Sequence, residues 1–376
     1  MPTNEGELSL IPSERGWFVS LDVMGQRLPV SYGDKTPGVL GLKNHGNTCF
    51  MNAVVQCLSN TDLLAEYLGL EQYKSDISQR RINGVVKTEE TSQALGEVTE
   101  QLAALVRALW TLEYTPQLSV EFKMIVSKYA TQFRGNSQHD ALEFLLWLLD
   151  RIHEDVNSSS PSSCGNDRSK TCGKVHSTVQ YISVLVFFRS SLTCPHCLKQ
   201  SHTFDPFLCI SLPIPLRQTS PHMIFTLCLQ LAPDDAWKCP HCKQLQQGML
   251  QMSLWTLPDI LILHLKRFRQ VGERRNKLST LVRFPLTGLD MAPHMVKRSN
   301  SSQHAQDFLY DLYAVCNHHG GMHGGHYTAY CRNSVDGQWY GYDDSSVEPV
   351  PEGEVCTRGA YILFYQRRNS IPTIGL

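Results

Sequence analysis

This sequence carries no excess of charge of either sign. Its 34 Lys and Arg face 35 Asp and Glu, a net charge of −1, so no overall field draws it to nucleic acid or to an anionic membrane. Long apolar runs are also missing. The most continuous, around Leu145–Leu149 and Ile260–Leu265, fall far short of the ~20 residues that span a bilayer. Residues 1–20 hold no continuous apolar core, so no secretory leader is read there, and an intracellular protein, cytoplasmic or nuclear, is expected. Gly (25) and Pro (19) stand at ordinary levels, which excludes a fibrous or low-complexity chain. What remains is a globular chain of 376 residues, long enough to bury a sizeable core as one large or two modest domains. Cysteine, by contrast, is plentiful: there are thirteen, an odd number, and four sit in two Cys-x-x-Cys pairs. Without a leader, that pattern points to metal binding and catalysis in a reducing compartment rather than to a disulfide framework.

Residues 1–36 mix turn formers with one strand-like run, Gly16–Val23, and are read as an extension. In Gly41–Asn52, Gly46 and Asn47 break regular structure and Thr48 can cap a helix through Val54, Val55 and Leu58. Cys49 then lies in the first turn, where free amides and the helix dipole favour an anion, so its thiol is expected to ionise below the usual ~8.5. Thr61 can cap a second helix through Leu68, residues 71–95 read as polar loop, and Leu102, Leu105, Leu109 and Trp110 recur at helical spacing. Ser137-Gln-His-Asp140 reads as a capping box opening a helix to about His153 that is apolar nearly all round, and hence central. Asn157–Lys170 is a Ser-rich loop. From about Val179 the texture turns to short aromatic and β-branched runs: Tyr181–Phe188, Phe204–Leu212, Met249–Leu254, Ile260–Phe268, Leu309–Cys316 and Tyr327–Cys331. A helical half followed by a strand-rich half makes the chain α+β.

Cys194-Pro-His-Cys197 and Cys239-Pro-His-Cys242 are matching knuckles. Four thiolates at that spacing predict a closed, tetrahedral, structural Zn²⁺ site. His196 and His241 lie inside the pairs, but four cysteines already suffice. Residues 198–238 between the pairs imply a β-rich projection tied at its tip.

A cysteine nucleophile needs a histidine that is distant in sequence and near in space. Of fifteen histidines, His264 reads as a strand residue and His139 as a helix-start contact. His318, His319 and His323 fall in a Gly-rich stretch where exposure is the default. His326 follows Gly324-Gly325 and leads into the strand-like Tyr327–Tyr330. The chain turns near Asn333–Gly337 and returns through Trp339–Tyr342, so a hairpin would bring Asp343 close to His326. A carboxylate there can hold the imidazole tautomer.

Taken together, Gly41-Leu-x-Asn-x-Gly-Asn-Thr-Cys-Phe-Met-Asn52, Gln138-His-Asp-x-x-Glu-Phe144, the paired knuckles, Leu257–Phe268, Gly324-Gly-His-Tyr327 and Trp339-Tyr-x-x-Asp-Asp344 resemble the ubiquitin-specific proteases. These are papain-like cysteine peptidases with thumb, palm and zinc-tipped β fingers. The resemblance implies a catalytic domain over 37–368, with a helical thumb about 37–175 and β-rich fingers and palm about 176–368. It implies Cys49 as nucleophile, His326 as base and acid, Asp343 as orienting carboxylate and Asn44 as oxyanion donor, with Asp344 assisting there. The implied partners are ubiquitin and ubiquitinated proteins, with neither nucleic acid nor membrane, and the chain is expected to be monomeric. Gln138, Asp140 and Glu143 would meet the basic ubiquitin tail, while Phe268 and Tyr327 would wall a slot narrow enough for its two glycines. The glycines at 320, 321, 324 and 325 would free the entrance loop. His45 and Phe50 depart from the family's common Leu and Tyr, with no effect expected on the chemistry. Leu227–Trp237 is shorter than the family's acidic segment, which predicts reduced fingers. Two rival readings stand beside this one: a protease for a ubiquitin-like modifier, and a ubiquitin-binding module whose activity is impaired.

Overall fold

Helix formation at Cys49 is decided by the loop before it. Gly46 and Asn47 take left-handed φ of +86° and +54°, and Asn44 Oδ1 accepts the amides of Gly46 and Thr48 at 3.0 and 3.2 Å. Thr48 occupies the N-cap position without making a side-chain cap bond. Its hydroxyl instead accepts His45 N at 2.9 Å, so Asn44 does the work expected of Thr48. In this computed structural model the described residues are 7–13, 16–23, 26–29, 35–82, 96–156, 186–214, 227–230, 236–271, 274–295, 305–321 and 324–368. They form an α+β chain that divides into two units built from interleaved segments.

The first unit takes residues 1–182, 270–277 and 313–361. It holds α1 (Cys49–Ser59), α2 (Asp62–Gly69), α3 (Gln72–Ile82), α4 (Glu97–Trp110), α5 (Pro116–Tyr129) and α6 (Ala141–Val156). All eleven residues of α1 are buried, so α1 is the covered helix that α6 was expected to be. α6 keeps Leu142 and Trp147 half-exposed. It also starts later than the capping box predicts. Asp140, not Ser137, is the cap, accepting Leu142 N at 2.7 Å on Oδ1. At the start of α2, Thr61 likewise makes no side-chain cap; its hydroxyl donates backward to Cys57 O at 3.0 Å. Residues 72–82, read as loop, are the helix α3, anchored by buried Tyr73 and Ile77 and by Tyr67 OH donating to Asp76 at 2.6 Å. Residues 83–95 and the Ser-rich 157–170 lie outside the described residues.

Ahead of these helices, Glu7–Ser13, Gly16–Val23 and Gln26–Pro29 form an antiparallel meander. The unit is closed by an antiparallel ladder. Within Leu309–Gly321, residues 314–321 pair with the strand Gly324–Arg332, which pairs with Trp339–Asp343 and that with Ser346–Pro349. α1 packs on the strand Gly324–Arg332. Phe50 meets Phe133, Phe144 and His139 at centroid distances of 6.0, 5.5 and 5.4 Å. This aromatic cluster, edge-on at Phe144 and His139 and tilted at Phe133, is met at position 50 by a ring with no hydroxyl to satisfy.

The second unit takes residues 183–269, 278–312 and 362–376. There Ile260–Lys266, buried along six of its seven residues, pairs antiparallel with residues 362–366 and parallel with Ile210–Pro213. Burial on both faces explains the unbroken apolar run. A second sheet orders Gln200–Phe207, Val186–Thr193, Met249–Leu254 and Leu227–Gln230. Among the described residues no helix is long and apolar enough to cross a membrane.

Candidate active site

Cys49 is the first residue of α1 and is 3% exposed. The backbone amide of Tyr327 and that of Phe50 face its sulfur, and Gln138 Nε2 lies 3.9 Å away. These donors pull the thiol pKa down, yet burial and the Asp344 charge push it up, and the net shift is upward from the ordinary value. The acidic thiol that sequence predicts at the helix start is not found: burial of the thiol, with the Asp344 charge, outweighs the surrounding hydrogen-bond donors.

His326 stands next to Tyr327 in the strand Gly324–Arg332, and Asp343 ends the neighbouring strand. The two are diagonal across the ladder, since Ala329 pairs with Tyr342. His326 Nε2 and Asp343 Oδ1 are 2.6 Å apart, which leaves Nδ1 free of that bond. His319, directly opposite His326 in the ladder, shares a 2.8 Å bond with Thr328 Oγ1. Burial first, then His326 and Lys277, lower its pKa. His318 is 4% exposed and departs from the exposure expected of this stretch, whereas His319 is exposed as expected. Both are strand residues, and His323 lies outside the described residues. The pairs Gly320–Gly325 and Gly321–Gly324 are strand partners too. A Cβ on Gly325 would run into His318 Nε2 and crowd the His319 carbonyl oxygen, so glycine suits the position beside that ring.

Gln138 grips the same position from the other side. Its Oε1 accepts Gly325 N at 3.2 Å and its Nε2 donates to Gly325 O. Asp140 accepts Tyr361 OH at 2.7 Å on the carboxylate oxygen not used for the cap, while Glu143 is exposed. Tyr327 is 3% exposed, edge-on to His318 at 4.8 Å. In the second unit, Phe268 begins the strand Phe268–Val271 and is half-exposed.

Asn44 Nδ2 donates to Asp344 Oδ2 at 2.9 Å, and Asn52 Nδ2 donates to Asp344 Oδ1 at 2.8 Å. Sequence assigned no part to Asn52. Its one signal is a carboxamide set between Met51 and Ala53 in a helix rich in apolar residues, and a buried amide requires partners. Gly41, the first residue of the cysteine motif, has a structural role here. A Cβ there would lie 2.5 Å from the Ser345 backbone, and Leu42 N donates to Asp344 O at 2.8 Å.

In the second unit, Cys194, Cys197, Cys239 and Cys242 bring their four sulfurs within 4.8 Å of one another. The two knuckles repeat one geometry. Cys194 N donates to Lys199 O and Leu198 N to Cys194 O, while Cys239 N donates to Gln244 O and Lys243 N to Cys239 O. Leu198 and Lys243 take matching left-handed φ of +58° and +62°. Sulfur pairs stand 3.8 and 3.7 Å apart, close to the edge of about 3.8 Å in a tetrahedron with ~2.3 Å metal–sulfur bonds. The group fits a metal ion.

The ubiquitin carboxyl-terminal hydrolase family profile matches residues 40–365. Human ubiquitin carboxyl-terminal hydrolase 43 is 37% identical over 643 aligned positions, covering 92% of this chain and 56% of that protein. Because that alignment is longer than the chain, the relative carries residues inside the matched region that this chain lacks. Rat ubiquitin carboxyl-terminal hydrolase 2 is 37% identical, covering 88% of this chain and 54% of its own length. The chain thus spans about half the length of these relatives. Among solved structures, the SAGA DUB module of Ubp8, Sgf11, Sus1 and Sgf73 bound to monoubiquitin matches at a TM-score of 0.71. The identity is 26%, covering 91% of this chain and 72% of that one. The same module bound to ubiquitin aldehyde matches at 0.70 and 26%, covering 89% and 70%. On sequence and on fold alike, the chain belongs to the ubiquitin carboxyl-terminal hydrolase family.

Proposed function

We propose that this chain is a thiol-dependent deubiquitinase that hydrolyses the isopeptide or peptide bond at the ubiquitin C-terminal glycine. The observation that carries the reading is that Gln138 ties the two parts of the site together: its Nε2 lies 3.9 Å from Cys49 Sγ and its amide also holds Gly325, next to His326, which is bonded to Asp343 at 2.6 Å. In the first step Cys49 gives its proton to His326 and the sulfur attacks the glycine carbonyl carbon. Asn44 Nδ2 and nearby backbone N–H groups receive the oxyanion, a contribution typically worth ~10²–10³ in rate per donor. The tetrahedral intermediate collapses as His326 returns the proton to the leaving amine, breaking the C–N bond and leaving a thioester on Cys49. Water, deprotonated by His326, then displaces the sulfur and frees the glycine carboxylate. Asp343 holds His326 through Nε2, so that Nδ1 is the nitrogen offered to the thiol.

Cys194, Cys197, Cys239 and Cys242 would hold Zn²⁺. Four sulfurs fill a tetrahedral shell and leave no position for water, so the ion would supply folding energy and no chemistry. Exposed Glu143 and half-exposed Gln138 suit the basic ubiquitin tail as hydrogen-bonding and ionic partners.

The test is labelling by ubiquitin with a C-terminal electrophile. Wild type is expected to form a single covalent adduct and Cys49→Ala none. An adduct on the alanine variant, or none on wild type, removes the reading.

A further inference from the structure

One amide in α1 takes no part in the steps above. Asn52 lies three residues beyond Cys49 and is 7% exposed. Besides its 2.8 Å bond to Asp344 Oδ1, its Nδ2 has the Leu42 and Lys43 carbonyls at 3.3 and 3.4 Å. Asp344 Oδ2 takes Asn44 Nδ2. One carboxylate is therefore a crossbar between two asparagines, one on each side of the nucleophile in sequence.

Every atom of the Asn44 amide can be accounted for. Oδ1 accepts the Gly46 and Thr48 amides and, at 3.4 Å, the Thr48 hydroxyl, and one Nδ2 hydrogen goes to Asp344. The second Nδ2 hydrogen has no acceptor among the described residues. A carboxylate has only acceptors to offer, so any assistance from Asp344 at an oxyanion runs through the donors that it holds. Its charge even opposes the thiolate at Cys49. A negative group beside an anionic intermediate is useful only if it orients a donor and has its own charge absorbed by N–H groups. Asn52 and Asn44 supply both conditions. The backbone holds the arrangement in place: Leu42 N binds Asp344 O, and Gly41 packs on Ser345 with no room for a Cβ. Asp344 itself sits at a left-handed φ of +49°, a strained state that persists only where the surroundings impose it.

We propose that Asn52 is a positioning residue: it fixes the Asp344 carboxylate, which turns the Asn44 amide so that its remaining N–H faces the developing oxyanion. This rests on the deubiquitinase reading and names a further residue of that site. A side chain that only fills the helix interface would affect stability and leave the chemical step alone. One that acts through Asn44 should change kcat and leave KM, which reports mainly on the ubiquitin surface remote from the reacting carbonyl.

The experiment is steady-state cleavage of a ubiquitin C-terminal fluorogenic amide by the chain as it stands, between pH 5.5 and 8. Wild type, Asn52→Ala, Asn52→Asp, Asn44→Ala and the double alanine variant are compared. Asn52→Ala is expected to lower kcat about 10- to 100-fold, below or up to the loss of a whole donor, with KM within about twofold. In the Asn44→Ala background the same change should cost less than about twofold, because the path it serves is already cut. Asn52→Asp keeps the shape and sets two carboxylates face to face. Like charges raise the pKa of one of them, so a shared proton restores the bond as pH falls. The ratio of variant to wild-type kcat is then expected to rise at least about tenfold from pH 8 to pH 5.5. That ratio decides the matter even if Asn52→Ala does not fold. Unchanged kcat in Asn52→Ala, full multiplication of the losses in the double variant, or a ratio that is flat or falls toward acid would each overturn the proposal. Failure of wild type to cleave the amide, while Cys49 still reacts with a small alkylating agent, would instead strike the deubiquitinase reading and take this proposal with it.

Discussion

At Cys49 two physical effects oppose each other, and burial wins. The first turn of α1 and the Tyr327 amide favour the thiolate, but a site 3% exposed gives that anion little solvation, and Asp344 adds repulsion. The sign follows directly. A thiol whose pKa lies above its ordinary value is protonated at neutral pH and gains thiolate only as pH rises toward that value. Alkylation of resting Cys49 by iodoacetamide, a small neutral electrophile, is therefore expected to accelerate steadily from pH 6 to pH 9. A rate already level below pH 7 would reveal a preformed thiolate–imidazolium pair and contradict this. Sequence reasoning saw the helix start and missed the burial, because solvent access at one atom depends on segments far away in the chain. Asn52 was invisible for the same reason, since its partner Asp344 is 292 residues distant. The His326–Asp343 pair was legible, because a short hairpin sets their separation by local register alone.

Between elements, the loop before α1 and the turn after Trp339–Asp343 behave as one piece. The Leu42 amide, Asn44 and Asn52 all end on Asp344, and Gly41 is pressed against the Ser345 carbonyl carbon. Gly41→Ala would place a methyl 2.5 Å from backbone that has no rotamer to give. A destabilisation of about 1–3 kcal/mol is expected in urea unfolding, together with loss of turnover, because the turn carries Asp343 and Asp344 at its edge. Unaltered stability would mean that the two segments are free to part. Elements with strong periodicity were readable from sequence: the apolar stripe of α4, and Met249–Leu254, which matches its expected bounds residue for residue. α3 was lost because its composition is polar, with only Tyr73 and Ile77 as buried apolar anchors beside the Tyr67–Asp76 bond. α5, which sequence did not register at all, buries only Ser119, Phe122 and Val126, too thin a stripe to announce a helix. The identity of the central helix was also misjudged. α1 carries Asn52, Gln56 and Ser59 among its buried residues, and a helix that buries amides reads as less central than the apolar α6.

At the scale of the whole molecule, the candidate catalytic residues and the knuckle cysteines fall in different units. Cys49, His326, Asp343, Asp344, Asn44, Asn52 and Gln138 all belong to the first unit, and the four knuckle cysteines all belong to the second. The knuckles gather residues 194–197 and 239–242, which flank the sheet strands Val186–Thr193, Gln200–Phe207 and Met249–Leu254. Cys194 and Cys239 are fully buried in a neighbourhood where Leu198 and Leu245 remain 75% and 69% exposed, so little apolar packing stands in for the ion. Metal binding of this kind supplies folding energy on the order of 10 kcal/mol, concentrated where the sulfurs meet. Chelation is therefore expected to open the knuckle segment to limited proteolysis and to weaken ubiquitin binding. The first unit has its own covered helix and aromatic cluster and contains no knuckle residue, so Cys49 should still be alkylated by iodoacetamide at its earlier rate. Mass spectrometry of the digest reads the first effect and adduct formation reads the second. Cuts between residues 194 and 242 with Cys49 unaffected would establish a local fastening, whereas full resistance to protease after the metal is gone would show that the sheet stands without it.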